Sequence, residues 1–146
     1  MFYIGIDPGK DGALSLIDED GNVCGIFPFS EVAYVSICYQ MKGRCKCALE
    51  RVSARPGQGT VSMFSFGENY GFIRGILEAF NIPYETVRPQ KWKKEFGLTS
   101  DKKQSIATAH RLFPGVDLRK NERCKKDHDG MAEALLLGEW ARRNMR

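Results

Sequence analysis

Three short apolar segments separated only by tight turns open the chain, and this arrangement restricts the possible folds more than any other feature. Residues 2–8, 13–18 and 23–29 have strand length and strand periodicity, and Asp20-Gly21-Asn22 is a hairpin signal between the last two. Short connections join antiparallel strands, whereas parallel strands need long crossovers. The sequence therefore predicts three antiparallel neighbours at the start of a sheet.

The rest of the chain alternates helical and strand patterns, which is typical of parallel crossover units. No linker, repeat or low-complexity tract interrupts these 146 residues, a length typical of one domain. We therefore predict a single α/β domain over residues 1–146, with a central five-stranded mixed sheet flanked by helices. Two further strands are expected at 45–52 and 82–87, and a loop at 53–63. Five helices are expected at 30–42, 64–80, 89–96, 101–113 and 128–143. Ser30 is the predicted cap of the first helix and Ser100 that of the fourth.

Positive charge is concentrated in the second half of the chain. Residues 88–126 contain twelve Lys and Arg against four acids, although the whole chain carries a net charge of only +4. The remainder is therefore net acidic. A basic half beside an acidic half favours a polyanionic partner such as a nucleic acid.

The cysteines and the apolar runs bear on the cellular compartment. An odd number of cysteines, five, argues against a disulfide framework, and small buried hydrophobes are a better interpretation than a zinc site. No apolar run is long enough to cross a membrane, and no segment resembles a signal peptide. We expect no membrane partner, and a location in the cytoplasm of a bacterium or of a phage-infected cell.

Four acids lie where a carboxylate is costly or crowded. Asp7 ends an apolar strand, and Glu50 lies within a strand that looks buried, where an uncompensated charge costs several kcal/mol. Asp129 and Glu133 are four residues apart, on one face of the last predicted helix. Such a set could hold two hard divalent cations ~3.5–4 Å apart. Alternatively, Asp127 or Asp129 simply caps that helix.

These residues carry a resemblance over nearly the whole chain. The opening Gly5-Ile6-Asp7-Pro8-Gly9-x-x-Gly12-Ala13, the strand residue Glu50 and the C-terminal Ala132-Glu133-Ala134-Leu135-Leu136-Leu137 resemble RuvC-type Holliday junction resolvases, which have the RNase H-like fold. Two further stretches, Met63-Phe64-Ser65-Phe66-Gly67 and the residues from Val87 to Lys94, resemble the phage and chloroplast branch of these enzymes.

The resemblance implies a homodimeric endonuclease that resolves four-way DNA junctions by paired symmetric cuts leaving 5′ phosphates. It implies two Mg²⁺ ions per active site, for which Mn²⁺ substitutes, and lysines at 93 and 102 near the scissile phosphate. The implied ligands are Asp7, Glu50, Asp129 and Glu133. Together with the basic segment and the flexible loop, it implies DNA contacts from Arg55, Phe64, Phe66, Arg88, Lys91, Lys93, Lys94, Lys102 and Lys103.

Several alternatives remain open at this point. Many bacterial relatives space the last two acids three apart and end on Asp, whereas here the spacing is four and the last acid is Glu; both spacings reach one helical face. Asp127 also competes with Asp129 as a ligand. Phe64 and Phe66 pack either on DNA bases or in the core. Gly67, Gly71 and Gly75 predict a close approach of their helix to the sheet or to a second subunit. The fold also suits a nuclease for flaps or forks, or a junction-binding protein without catalysis, whereas an actin-like ATPase needs two large lobes.

Overall fold

A five-stranded mixed sheet forms the centre of the protein, which a computed structural model describes over residues 1–146. The strand order is β3-β2-β1-β4-β5. β1 pairs antiparallel with β2 and β2 with β3, whereas β1 with β4 and β4 with β5 are parallel. The predicted sheet and its antiparallel first three strands are confirmed. The strands are β1 (Phe2–Asp7), β2 (Ala13–Asp18), β3 (Val23–Pro28), β4 (Cys45–Glu50) and β5 (Tyr84–Val87).

Five helices cover the two faces of this sheet, as predicted. Ser30 caps the first of them by accepting a hydrogen bond from the backbone N–H of Ala33. Pro89 occupies the first turn of the third, where its missing N–H leaves no intrahelical bond unmade. None of the helices is both long and apolar enough to cross a membrane. The helices are α1 (Glu31–Met41), α2 (Thr60–Ala79), α3 (Pro89–Glu95), α4 (Lys102–Leu112) and α5 (Asp129–Asn144).

Three helix starts differ from the sequence predictions. Helix α2 begins at Thr60 rather than at residue 64, because Gly59 serves as an extended N-cap and residues 60–63 are already helical. Asp101, not Ser100, caps α4, since its carboxylate accepts the backbone N–H of Lys103. At α5 the cap is His128, whose Nδ1 accepts the N–H of Met131, so neither Asp127 nor Asp129 has the capping role.

Two separate apolar layers pack on the sheet. On β1, Ile4 and Ile6 point toward α1 and α2, whereas Tyr3 lies in the layer that contains α5. This follows from the period of two along a strand, which also directs Asp7 to the α5 side. Helix α5 is tied to the sheet by the hydroxyl of Ser15, which donates to the backbone carbonyl of Ala134 at 2.7 Å.

The predictions for the cysteines and for the repeated glycines of α2 have different outcomes. Cys38, Cys45 and Cys47 are free and buried in the α1–α2 layer, so the interpretation as small buried hydrophobes holds for these three. It is wrong for Cys24, which is exposed, and Cys124 is only partly buried. The predicted approach of the glycine repeat to the sheet is wrong. A Cβ placed on any of these three glycines would meet nothing within 4 Å, because α2 packs through Ile73, Ile76 and Leu77 instead. The repeat consists of Gly67, Gly71 and Gly75.

Candidate metal centre and adjoining basic groove

Two neighbouring parallel strands end on carboxylates at the same edge of the sheet. Asp7 is the last residue of β1 and Glu50 the last residue of β4. Ile6 lies opposite Leu49 in the register, so the two acids are paired neighbours. Both side chains lie on the α5 side of the sheet, because Tyr3 and Ala48, which share their strand faces, belong to that layer.

Helix α5 brings a third carboxylate to this edge. One oxygen each of Asp7, Glu50 and Glu133 lie within 4.8 Å of one another. Glu133 is buried, with 7% of its surface exposed. Asp129, one turn earlier on α5, lines the same cleft but is not within this group of three. The structure thus brings three of the four predicted acids together and places the fourth beside them.

The crowding of these acids disturbs their ionisation. Burial raises the pKa of Asp7 well above its ordinary value, and the charges of Glu50 and Glu133 raise it further. Burial also raises the pKa of Glu50, against a hydrogen bond from Trp92 that lowers it. Protonation or cation binding at this edge would relieve the excess of negative charge.

Two lysines partly offset that charge from outside the cluster. Lys93 Nζ lies 3.3 Å from Glu133 Oε1, and Lys102 Nζ lies 2.9 Å from Asp129 Oδ2. Burial opposes the ionisation of Asp129, but the hydrogen bond and charge of Lys102 leave its pKa below the ordinary value. Both lysines that the resemblance placed near the scissile phosphate therefore contact acids of this edge.

Asp127 lies in a different environment from Asp129. Its Oδ2 contacts His110 Nε2 at 2.7 Å, and it does not line the cleft that contains Asp7. Asp129 is also among the charges that raise the pKa of Asp7, whereas Asp127 is not. Of the two competing residues, the geometry favours Asp129 as the acid that acts with the cluster.

The donor set fits a hard divalent cation. It consists of carboxylate oxygens from two strand ends and a helix, with no thiol or imidazole among them. Such oxygen ligands select Mg²⁺ or Mn²⁺ over softer metals. Burial, followed by the charges of neighbouring acids, raises the pKa values of Asp7 and Glu50, and a bound cation would stabilise their ionised forms.

A cleft of about 1100 Å³ opens over the acids and continues past Glu50 and Phe66 into a second groove of about 890 Å³. Because these two residues line both, the metal centre and the second groove form one continuous surface. Lys103 lines neither, and Lys91 also pairs with Glu85 at 2.9 Å. The second groove, which we call the basic groove, is lined by Arg51, Arg55, Arg88, Lys91 and Lys94, among others.

Phe64 and Phe66, on the first half of α2, belong to neither core layer. Phe64 is 69% exposed and Phe66 is 37% exposed. Phe66 packs against Gly9, in the loop that follows Asp7, and lines the cleft. Of the two interpretations of these residues, core packing is therefore excluded by their exposure.

Three residues that the sequence did not single out support the site. Trp92 Nε1 donates to Glu50 Oε2 at 2.9 Å, and Ser105 Oγ donates to Glu133 Oε1 at 3.4 Å. Asn69 Oδ1 accepts the N–H of Gly9 at 2.8 Å and so ties α2 to the loop after Asp7. These contacts join residues at least 28 positions apart, and no local pattern announces them.

Comparison with known proteins adds a structural likeness. No family model matches the sequence, and no curated protein matches it. The structure is similar to that of Thermus thermophilus RuvC, with a TM-score of 0.63 and 15% identity over 94% of this chain and 91% of that one. It is also similar to T. thermophilus RuvC in complex with Holliday junction substrate, with a TM-score of 0.61, 15% identity and coverage of 94% and 90%.

The sheet order, the flanking helices and the acids at the strand ends define an RNase H-like α/β fold. Within that class, the fold is the one found in RuvC, aligned over nearly the full length of both chains. The predicted resemblance is confirmed at the level of the fold.

Proposed function

We propose that this protein is a metal-dependent DNA endonuclease that resolves four-way junctions by paired symmetric cuts, leaving 5′ phosphates. The observation that carries the proposal is the meeting of Asp7, Glu50 and Glu133 within 4.8 Å at one edge of a RuvC fold. One structural neighbour is a RuvC in complex with Holliday junction substrate, which supports a branched DNA as the substrate of this chain.

In this proposal Asp7, Glu50, Asp129 and Glu133 hold divalent cations, two per active site. Bound cations of this kind lower the pKa of a water and stabilise charge on a leaving oxygen. Asp7 would contribute to both positions, because the charges of Glu50, Glu133 and Asp129 all act on its carboxylate. Water attacks the phosphorus, the bond to the 3′ oxygen breaks, and the phosphate remains on the 5′ end.

The lysines would act on the phosphate rather than on the cations. Lys102 forms an ion pair with Asp129 in the cleft, and its side chain is 69% exposed. An ammonium in that position can contact a phosphate entering the cleft without first leaving a buried environment. Lys93 is only 19% exposed and contacts Glu133, so its charge acts close to the cluster.

The basic groove would hold the DNA strand beyond the cut. Arg55, Arg88 and Lys94 line it, and it joins the cleft at Glu50 and Phe66. Contacts of this kind bind phosphates without reading sequence. Phe66 lines the cleft, and Phe64 lies two residues before it on α2 with 69% of its surface exposed, so exposed bases at the crossover could stack on both rings.

A junction has two symmetry-related strands to cut, and a single domain of this size offers one cluster. We therefore propose that the chain is one nuclease domain that acts as a homodimer with two-fold symmetry. The exposed face of α2, where Gly67, Gly71 and Gly75 meet nothing within 4 Å, supports a helix contact between subunits.

The test is cleavage of a labelled four-way junction in Mg²⁺ by the wild type and by Glu50→Gln. We expect the variant to bind the junction with wild-type affinity and to cut it at least about 10²-fold more slowly, because a ligand charge is lost. Glu122→Gln makes the same chemical change at an exposed acid away from the cleft and should cut normally. Undiminished cutting by Glu50→Gln would remove Glu50 from the mechanism.

Matched substrates separate the alternatives. Faster cutting of a flap or fork than of a four-way junction would assign the activity to another branched DNA. Tight junction binding with no Mg²⁺-dependent or Mn²⁺-dependent cutting by the wild type would assign a binding role without catalysis.

A further inference from the structure

Trp92 occupies an unusual position for a fully buried aromatic residue, because its polar atom reaches the candidate metal centre. The side chain belongs to the apolar layer beneath α5 and has no exposed surface. Its indole Nε1 donates a hydrogen bond of 2.9 Å to Glu50 Oε2. Helix α3 begins directly after β5, the neighbour of β4, and this places Trp92 beside the strand end that carries Glu50.

This hydrogen bond occupies only one oxygen of the carboxylate. Oε1 of Glu50 has no protein donor, and it remains available to a cation. Glu133 is held in the same way, since its Oε1 contacts both Ser105 Oγ at 3.4 Å and Lys93 Nζ at 3.3 Å, while Oε2 has no partner. Each of the two carboxylates is thus anchored through one oxygen and open at the other.

The chemistry of the donor matters as much as its position. An indole N–H is neutral, so it fixes the direction of the carboxylate without cancelling its charge. Glu133 differs in this respect, because Lys93 brings a positive charge to it, whereas the donor to Glu50 is neutral. Groups that hydrogen-bond to metal ligands commonly change metal affinity 10–100-fold when they are removed.

We infer that Trp92 is a positioning residue that orients the Glu50 carboxylate for binding a divalent cation. The inference rests on the proposed function, because it assigns Trp92 a part in that same metal centre. The rest of the indole ring packs in the core and stabilises the fold whatever happens at its nitrogen. The two contributions are separable, since only the N–H reaches Glu50.

The experiment measures Mn²⁺ binding to the protein without DNA, by calorimetry and by the electron paramagnetic resonance signal of the free ion. Trp92→Phe removes the N–H and should weaken Mn²⁺ binding about 10-fold. Trp140→Phe is the matched control. Trp140 is also buried, with 2% exposed, and donates no hydrogen bond to a carboxylate of the cluster, so its variant should bind Mn²⁺ as the wild type does.

A cleavage assay adds a second readout. The Mg²⁺ concentration for half-maximal cutting should rise about 10-fold in Trp92→Phe, while the rate at saturating Mg²⁺ and the affinity for the junction stay near wild type. Loss of packing alone would lower the melting temperature of both tryptophan variants without this change in Mg²⁺ dependence.

Three results would overturn the inference. The first is wild-type Mn²⁺ affinity in Trp92→Phe, and the second is an equal loss of affinity in Trp140→Phe. The third, absence of Mn²⁺ binding by the wild type, would overturn the metal centre itself. If Trp92→Phe fails to fold, replacement of the Trp92 indole by benzothiophene keeps the ring shape, removes the N–H, and is expected to give the same 10-fold loss.

Discussion

Gly5 on β1 lies directly against the backbone of Gly138 on α5, so closely that a Cβ on Gly5 would overlap backbone atoms of the helix. The contact lies two residues before Asp7 and five residues after Glu133. It therefore sets how near the strand end and the helix acids approach each other. The geometry of the cluster depends on a residue that has no functional group.

Gly5→Ala should separate α5 from the sheet and destabilise the protein. The added methyl group has no space, and overpacking of a core of this kind costs about 3 kcal/mol. Urea unfolding followed by circular dichroism measures the change. Gly59→Ala is the control, because its extended backbone has room for a methyl group, and it should cost at most about 1 kcal/mol, the difference between Gly and Ala at an N-cap. Equal stability of Gly5→Ala and the wild type would show that α5 can move away from β1 without cost.

Asp7→Asn should stabilise the protein without a metal at neutral pH. The pKa of Asp7 is raised in the folded state by burial first and then by its acidic neighbours, so its ionised form opposes folding. That penalty is absent below the ordinary carboxyl pKa of about 4, grows as pH rises toward the folded pKa, and is constant above it. In EDTA at pH 7 we expect the Tm of the variant to exceed that of the wild type by about 3 °C, with the difference vanishing near pH 3–4.

Mg²⁺ should reverse this order by raising the Tm of the wild type but not of Asp7→Asn, since a bound ion stabilises only the form that holds it. Asp20→Asn, at an exposed turn, controls for the loss of one acid and should follow the wild type. A lower Tm for Asp7→Asn than for the wild type in EDTA at pH 7 would contradict the prediction that the ionised Asp7 destabilises the metal-free protein.

Lys102→Ala should reduce cleavage about 10²-fold, because an ammonium that stabilises charge at the reacting phosphate is lost. The adjacent Lys103 on the same helix is exposed and contacts no acid through its side chain. Lys103→Ala should therefore cut at close to the wild-type rate under saturating DNA. Single-turnover cleavage measures both variants, and equal rates for the two would refute a special role for Lys102.

Arg88→Ala should weaken binding to all DNA sequences and lower the slope of log affinity against log salt by about 1, since one phosphate contact is removed from the basic groove. Fluorescence anisotropy at several salt concentrations gives the slope. Lys42, at the end of α1, lines neither the cleft nor the basic groove, and Lys42→Ala should leave the slope unchanged. An unchanged slope in Arg88→Ala would place the phosphates elsewhere.

Phe64→Leu should weaken junction binding by about 1–3 kcal/mol while leaving the stability of the free protein nearly unchanged, because the ring is 69% exposed and stacks on a base only in the complex. Phe64→Trp keeps an aromatic face and should retain binding. Junction affinity by gel shift, together with Tm, distinguishes the two effects. Equal affinity of the leucine and tryptophan variants would argue against stacking.

Much of the fold could be predicted from local patterns in the sequence. The strand periodicity of residues 2–8 corresponds to β1, in which Ile4 and Ile6 belong to one apolar layer and Tyr3 to the other. The hairpin signals correctly predicted the antiparallel start of the sheet. Helix starts were less accurate, because several polar residues near each start can cap, and only the folded backbone shows which one does.

The candidate acids could also be found from the sequence, since a carboxylate in an apolar strand such as Glu50 is costly wherever it lies. The sequence did not show which group forms a stabilising contact with the Glu50 carboxylate. In the structure the neutral N–H of Trp92, 42 residues away, donates a hydrogen bond to one oxygen of Glu50. Nor could it decide between Asp127 and Asp129, which both lie near the start of one helix.

The sequence by itself determined the elements, their order and the chemical types at the strand ends, because these depend on period, composition and turns within a few residues. The tertiary structure decided which side chains contact each other. It brings three acids into one cluster, and it adds a hydrogen bond from a tryptophan to Glu50 and an ion pair between Lys102 and Asp129. Such contacts join distant segments, and their distances depend on how closely α5 packs against β1. The distance between α5 and β1 is fixed only when all the helices and strands are packed together.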